Sequence, residues 1–188
     1  MRRITIAAVG WCLAFSAAAA EPEAWVQQSR VAAQRLAGRL VTELTQALAV
    51  SAPAAIRVCS ERAPAIAAEE AAGLGAAIGR TALRVRNPAN APGEWQRRAL
   101  EEFTRRLAAG EDPAALEFTE VVAVEGATER RWMKPIMTAP LCLTCHGASL
   151  APEVAAAVAE RYPQDQATGF AAGQLRGGVY VAWRGPQP

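Results

Sequence analysis

Histidine is almost absent from this sequence, which contains one, His146, beside four cysteines and three methionines in 188 residues. A single imidazole excludes any site that needs two histidines. No charge of either sign dominates, since 20 Lys and Arg stand against 18 Asp and Glu, and nothing in that balance indicates a nucleic acid or an anionic membrane as partner. After residue 20 no apolar run is long enough to span a bilayer. The length suits one core and one domain.

The one histidine directly follows a pair of cysteines, in the run Cys142-Leu143-Thr144-Cys145-His146. This C-x-x-C-H pattern is the attachment signature of a c-type haem. The spacing matters because two thiols add across two vinyl groups on one edge of the porphyrin, and the next residue then brings its imidazole to the iron. The pattern predicts one haem c per chain, bound covalently by Cys142 and Cys145, with His146 as the proximal iron ligand.

Three other uses of these residues agree less well with the surrounding sequence. A thioredoxin-like cysteine pair opens a helix within a βαβ unit, and no such pattern surrounds Cys142. A zinc site could draw on three cysteines and the histidine, but the adjacent Cys145 and His146 would both have to bind one tetrahedral ion. A structural disulfide suits an oxidising compartment but gives His146 no role.

The first twenty residues have the pattern of a secretory signal peptide. Met1 to Arg3 is a short positive segment, residues 4–15 are mostly apolar, and Ala18 to Ala20 supplies the small residues of a cleavage site. Cleavage after Ala20 removes Cys12 and two arginines, which takes the formal charge from +2 to 0. We therefore predict a periplasmic mature protein of residues 21–188.

The first part of this mature chain is predicted to be helical. Apolar residues recur at three- and four-residue intervals over residues 25–50, as in one long amphipathic helix. Pro53 is placed to begin a second helix and Pro64 to end or kink it, with helical sequence continuing to about residue 72. Gly73, Gly75 and Gly79 then predict a loop.

From residue 80 onward the pattern is mixed. Alternation and turn residues predict strands at residues 80–86, 118–125, 130–137 and 174–183, the middle two joined as a hairpin, and helices at residues 94–109 and 153–161. Helices followed by a small antiparallel sheet with interspersed helices make the fold class α+β. We expect one domain around the haem, with a helical part at residues 21–75 and an α+β part at residues 76–188.

Several runs of sequence, in order along the chain, are similar to those of a known family. They are Gly79 to Pro92 (GRTALRVRNPANAP), Lys134-Pro135-Ile136, Cys142 to Gly147, Tyr162 to Phe170 and Gly173 to Gly177. Together they resemble the exported single-haem c-type proteins formerly described as a domain of unknown function. The resemblance covers nearly all of the mature chain. It implies a PAS-like sheet preceded by N-terminal helices, one covalent haem and a redox- or gas-sensing role.

The residues alone leave the distal ligand of the iron open. The available soft donors are Cys59, Met133 and Met137, beside an open or water-filled position. Met137 is close in sequence to Cys142, a short tether for reaching the opposite face of the ring, and Met133 lies on a predicted strand, where methionine usually packs in a core. A lone helical cysteine is also usually a small buried hydrophobe. The family resemblance implies Cys59, and a thiolate ligand predicts a low-potential, mainly ferric, low-spin haem.

Arg84 and Arg86, beside the turn at Asn87, are candidates for contacts with the haem propionates, because arginine makes bidentate contacts with carboxylates. A solvated strand face explains these two arginines equally well. Arg176 carries the same suggestion with less support. Trp95 and Trp132 are more consistent with core packing than with electron relay.

Three functions from different classes remain. A redox or gas sensor would pass its state to a periplasmic partner, since we recognise no kinase or other output domain in the sequence. A single-electron carrier would keep both iron ligands in both oxidation states. An enzyme such as a peroxidase would need an open distal site with a general base, and the sequence offers no distal histidine. We expect a sensor with a low-potential His/Cys-ligated haem, with an electron carrier as the alternative and no enzymatic activity.

Overall fold

A computed structural model describes residues 24–186 and shows helices on both faces of one antiparallel sheet. The predicted signal peptide lies outside the described residues. In chain order the elements are α1 (Ala24–Val50), α2 (Ala52–Arg57), α3 (Ala63–Leu74), β1 (Ala77–Thr81), α4 (Glu94–Ala108), β2 (Phe118–Val124), β3 (Ala127–Met137), α5 (Leu143–His146), α6 (Pro152–Arg161) and β4 (Leu175–Pro186). This arrangement confirms the α+β fold class.

The N-terminal helices follow the predicted order, with one difference at Pro64. Ser51 begins α2 by accepting a hydrogen bond at Oγ from the amide of Ala54, 3.2 Å away. Pro64 does not end the helical segment. A π-helical turn at Val58–Arg62 joins α2 to α3, and Pro64 lies in the first turn of α3, directly after the π-helical turn. Cys59 lies on this π-helical turn, a feature that is often found at functional sites.

The sheet has the strand order β1-β4-β3-β2, and every neighbouring pair is antiparallel. The predicted hairpin is confirmed as β2 and β3. Its turn residues Glu125 and Gly126 have φ angles of 42° and 76°, the left-handed pair that a tight hairpin turn requires. The predicted final strand is also confirmed, as β4, and it lies between β1 and β3 at the centre of the sheet.

The strand predicted at residues 80–86 is wrong in position, because the strand is β1 at Ala77–Thr81. The loop predicted from the glycines is also wrong in part, because Gly79 belongs to β1 and Gly73 to α3. A glycine suits position 79 because a Cβ there would lie 2.9 Å from the Tyr180 hydroxyl. The chain leaves the sheet after Thr81, whose hydroxyl donates to the carbonyl of Asn90 at 2.9 Å. The alternation of arginines with Leu83 and Val85 therefore reflects a folded loop and not a strand.

Three apolar clusters hold these elements together. On one sheet face, α1 packs against residues of β1, β3 and β4, with Leu36 and Trp132 among the buried residues. On the other face, α4 packs with Leu116 and Met133. The third cluster joins α2 to α6 through Ile56, Val154, Val158 and Tyr162. The core role predicted for Trp132 is confirmed, since it is 1% exposed, and Trp95 packs against the α4 cluster.

No helix within residues 24–186 is both long and apolar enough to cross a bilayer.

Candidate haem-binding site

A cavity of about 310 Å³ lies between the helical part of the chain and the α+β part. Its size is at the lower end of the range for cofactor sites, ~300–1,000 Å³. One wall is apolar and belongs to α1, which contributes Leu36, Leu40, Leu44 and Leu48. Cys59, Cys142, Cys145 and His146 all line this cavity. The structure thus brings together the four residues that the sequence analysis selected as cofactor ligands.

The C-x-x-C-H run folds as a compact helical turn. A 3₁₀ turn at Pro140–Cys142 leads into α5, which contains Cys145 and His146 and ends at Gly147. Because one turn of helix brings residues three and four apart onto the same side, both thiols and the imidazole reach the same cavity. Gly147 is required where the chain leaves α5, since a Cβ there would lie 2.6 Å from the carbonyl oxygen of Leu143.

The imidazole of His146 is held in one orientation. Its Nδ1 lies 2.6 Å from the carbonyl oxygen of Ala167 and donates to it. That bond leaves Nε2 as the unprotonated nitrogen, which is the usual arrangement for a metal-binding histidine. Burial, together with the positive charges of Arg176 and Arg86, lowers the pKa of His146 to about 3. The imidazole is therefore neutral near pH 7, as an iron ligand must be.

The segment from Asp165 to Phe170 fixes the position of the C-x-x-C-H run. The amide of Phe170 donates to the carbonyl of His146 at 2.9 Å, and the amide of Gly169 donates to the carbonyl of Gly147 at 2.9 Å. The Phe170 ring also meets the imidazole of His146 edge-on, with ring centroids 6.4 Å apart. This segment is one of the runs on which the family resemblance rests, and the contacts explain why it accompanies the cysteines.

Arg86 ties the same segment to the cysteine pair. Its Nε lies 3.0 Å from Oδ1 of Asp165, and its Nη2 donates to the carbonyl of Cys145 at 2.6 Å. Both charged side chains are 9% exposed. Burial alone would raise the pKa of the Asp165 carboxyl, but the bonds from Arg86 and from the Ala167 amide outweigh it and hold this pKa below its usual range. Arg86 lines the cavity, yet its charge is already paired within the protein.

Cys59 reaches the cavity from the π-helical turn. Burial raises the pKa of the Cys59 thiol, although Arg80, Arg86 and Arg176 act in the opposite direction. Of the three soft donors considered from the sequence, Cys59 alone lines the cavity. Met133 is fully buried in the α4 cluster, and Met137 is not among the lining residues. Cys59, Cys142 and Cys145 are all free thiols.

The arginines are arranged differently from the sequence-based expectation. Arg84 is exposed and does not line the cavity. Its guanidinium donates to the carbonyls of Gln166 and Thr168 and lies 4.4 Å from the centroid of the Phe170 ring. Arg176 lines the cavity, and its guanidinium lies 5.2 Å from the same ring centroid. Arg84 therefore supports the segment around Phe170 and does not face the cofactor space.

Arg80 also lines the cavity, although it was not among the residues predicted for the site. Burial is the main reason that the pKa of Arg80 is lowered. Arg80 lies two residues after Ile78 on β1, so its side chain shares the sheet face that packs against α1. The G-R-T run was the available signal, but the misplaced strand boundary put Arg80 at the end of an element instead of inside one.

The residues of this cavity fit a c-type haem. The apolar wall of α1 suits the faces of a porphyrin, the paired thiols suit its vinyl groups, and the arginines suit its carboxylates. Within residues 24–186 no three His, Cys, Asp or Glu side chains converge to hold a metal ion. A haem iron needs only two ligands from the protein, whereas a zinc site needs three or four.

This fold and donor set define an α+β domain of the haem-binding kind, with a helical segment packed on a four-stranded sheet. The chain belongs to the Tll0287-like family, whose sequence profile matches residues 17–183. The crystal structure of the cyanobacterial heme-protein Tll0287 is similar, with a TM-score of 0.52 and 30% sequence identity, over 68% of this chain and 71% of that chain. No curated protein matches the sequence. The family resemblance inferred from the sequence motifs is confirmed.

Proposed function

We propose that this protein carries one haem c per chain and senses redox state or a small gas in the periplasm. One observation supports this most directly. The same cavity is lined by Cys59 from the helical part and by Cys142, Cys145 and His146 from the α+β part. Similarity to a cyanobacterial heme-protein supports the cofactor. The periplasmic location rests on the pattern of residues 1–20, and the covalent attachment rests on the C-x-x-C-H run.

Each of these side chains has a separate task in the proposal. Cys142 and Cys145 anchor the porphyrin, and His146 binds the iron through Nε2 while Nδ1 stays bonded to Ala167. Cys59 would be the second ligand that the protein supplies to the iron. The haem, when bound, supplies a one-electron redox centre and, with one axial position free, a site for a diatomic gas.

The bond at Cys59 is where we expect the response to arise. A metal-bound thiol is deprotonated, and the negative charge of its sulfur favours ferric over ferrous iron. Burial raises the pKa of the free thiol, so a Cys59 sulfur that leaves the metal takes up a proton and remains neutral. With a haem bound, Cys59 would therefore be the ligand whose protonation is coupled to the redox state, as a thiolate on the metal or as a neutral buried thiol.

Spectra and redox titration of the exported protein test this proposal. We expect a Soret band, one covalent haem by mass, and a midpoint potential well below zero. Cys59→Ala should raise that midpoint by on the order of 100 mV, roughly a fifty-fold change in the equilibrium constant of reduction. Met137→Leu, whose side chain does not line the cavity, is the matched control and should leave the midpoint unchanged. A wild-type midpoint well above zero would contradict His/Cys ligation.

A second function, electron transfer between partner proteins, is favoured by a different observation. Val41 and Leu141 line the cavity and are 53% and 44% exposed, so part of the lining is presented at the surface. Exposed apolar residues beside a redox centre suit a protein contact. Carbon monoxide separates the two functions: its binding to the reduced protein supports sensing, and its failure to bind supports a carrier in which Cys59 stays bound.

We propose no enzymatic activity, because the only histidine of the sequence is assigned to the proximal side.

A further inference from the structure

A second cavity, smaller and more polar, adjoins the one described above. It has a volume of about 220 Å³ and lies between α3, β1 and the turn that follows Asn87. The two cavities share Cys59, Ala63, Arg80, Thr81, Asn87 and Asn90 in their linings. We propose that this polar cavity receives the propionate groups of the haem and that Arg80 is their principal partner. The inference rests on the proposed function, because it requires that a haem is bound.

The positive charge of Arg80 lacks a counter-charge among the described residues. Within residues 24–186 its guanidinium makes no hydrogen bond and no ion pair with a protein group, although it faces both cavities. Its neighbours differ in this respect, because Arg86 is paired with Asp165 and Arg84 donates to two carbonyls. Arg80 is half-buried, and a partly desolvated cation without a protein partner is stabilised by an anion beside it. Arg80 therefore needs an anionic ligand more than either neighbour does.

The covalent structure of haem also favours this placement of the propionates. The two vinyl groups and the two propionates lie on opposite edges of the porphyrin. Attachment of the vinyl groups to Cys142 and Cys145 would therefore direct the propionates away from these two cysteines. The polar cavity meets the larger one at Cys59 and Arg80, and neither cysteine of the pair lines it. Arg176, by contrast, lines only the larger cavity, which also holds both cysteines of the pair. Arg80 thus lies on the side that suits the propionate edge.

The side-chain amides of Asn87 and Gln96, which line the polar cavity, still have hydrogen-bond donors available. Oδ1 of Asn87 already accepts from the amide of Ala89 at 3.0 Å, and Oε1 of Gln96 accepts from the amide of Gly93 at 2.7 Å. These bonds leave the NH₂ groups of both side chains as donors. Donors beside an arginine select a carboxylate ligand. This use also accounts for the G-R-T and R-N-P-A-N runs, since Arg80, Thr81, Asn87 and Asn90 come from them.

Resonance Raman spectroscopy of the haem-loaded protein tests the assignment, because the propionate bending band reports hydrogen bonds to these carboxylates. Arg80→Gln should shift that band and lower the midpoint potential, since a positive charge near the haem is lost. Arg80→Lys should restore the potential while the band remains shifted, because lysine keeps the charge but not the bidentate geometry. Arg57→Gln, which removes an exposed charge two residues from Cys59 and outside both linings, should change neither the band nor the cofactor content.

An unshifted band in haem-loaded Arg80→Gln, or a shift in Arg84→Gln instead, would overturn the assignment. If Arg80→Gln does not load haem, the propionate band of Arg80→Lys tests the assignment instead. A shifted band would support Arg80 as the propionate partner, and an unshifted band would contradict it. A wild-type protein without covalent haem would defeat the proposed function itself, an outcome that the Soret band reveals before any variant is compared.

Discussion

The two faces of the sheet are built from similar residues but are completed in different ways. On the α4 face, four apolar side chains are 0% exposed and pack against one another in one cluster: Leu100, Phe103, Leu116 and Met133. On the α1 face, Leu36 is 0% exposed, but the apolar stripe of α1 continues through Leu44 and Leu48, which are half-buried and line the cavity. The α4 cluster is a closed core, whereas the apolar stripe of α1 extends beyond its own buried cluster to form a wall of the cavity.

This difference separates the residues that stabilise the fold from those that await a cofactor. A closed apolar cluster gains its full free energy of burial from the chain alone. An apolar wall around a cavity gains that free energy only when something occupies the space, because its side chains lack contacts on one side. Substitutions on the α4 face should therefore act equally with and without haem, and those around the cavity should not.

Phe103→Ala should give the largest effect. The side chain lies at the centre of the closed α4 cluster and is fully buried, so its truncation should cost about 3–5 kcal/mol of unfolding free energy. The loss should be the same in protein with and without haem. Urea unfolding of both forms measures it. A much smaller loss in the haem-loaded form would show that the two faces are not independent.

Asp165→Asn should give the next largest effect, on the cavity side. It leaves the guanidinium of Arg86 buried without its counter-charge, which should cost on the order of 3 kcal/mol. The pKa of Asp165 is lower in the folded protein than in the unfolded chain, so the unfolded chain takes up the proton first as pH falls. The stability that the pair contributes is therefore complete above about pH 4 and is lost below it.

Chemical unfolding between pH 6 and pH 3 checks this prediction. The wild type should lose unfolding free energy more steeply below about pH 4 than Asp165→Asn does, because the variant lacks that titration. Glu94→Gln, which removes a carboxylate that is 93% exposed and lines neither cavity, is the control and should follow the wild type. Equal slopes for the wild type and Asp165→Asn would show that this carboxyl does not titrate below its ordinary range.

Some of these elements and site residues can be predicted from the sequence, and others cannot. Local patterns were sufficient for α1, α4 and the β2–β3 hairpin, because helix periodicity and a two-residue turn are properties of neighbouring residues. The same holds for Cys142, Cys145 and His146, because the attachment motif consists of five consecutive residues. The register of β1 is instead set by its pairing with β4, which is distant in sequence. Arg86 likewise finds Asp165 across 79 residues, so no local pattern could assign it.

Leu44→Ala sharpens the comparison from the cavity side. The side chain is half-buried and lines the cavity, so in the haem-free protein its truncation should cost less than a core leucine does, ~1 kcal/mol or below. In the haem-loaded protein the lost contacts should raise the cost to roughly 2 kcal/mol. Unfolding of both forms gives the difference, and Leu100→Ala on the closed face is the control that should show none. Equal costs for Leu44→Ala in the two forms would mean that this wall does not meet the cofactor.

Ser51→Ala should have the smallest effect, and it tests whether the helical segment that carries Cys59 is a separate unit of stability. The Ser51 hydroxyl accepts from the Ala54 amide at the start of α2, and losing such a cap costs about 1 kcal/mol. Because α2 leads into the π-helical turn with Cys59, the loss should speed hydrogen exchange in α2 while α4 keeps its protection. Ser149→Ala is the matched control, since this exposed hydroxyl makes no hydrogen bond within residues 24–186. If exchange rises equally in α2 and α4, the cavity side opens only together with the closed core, and the independence of the two faces is lost.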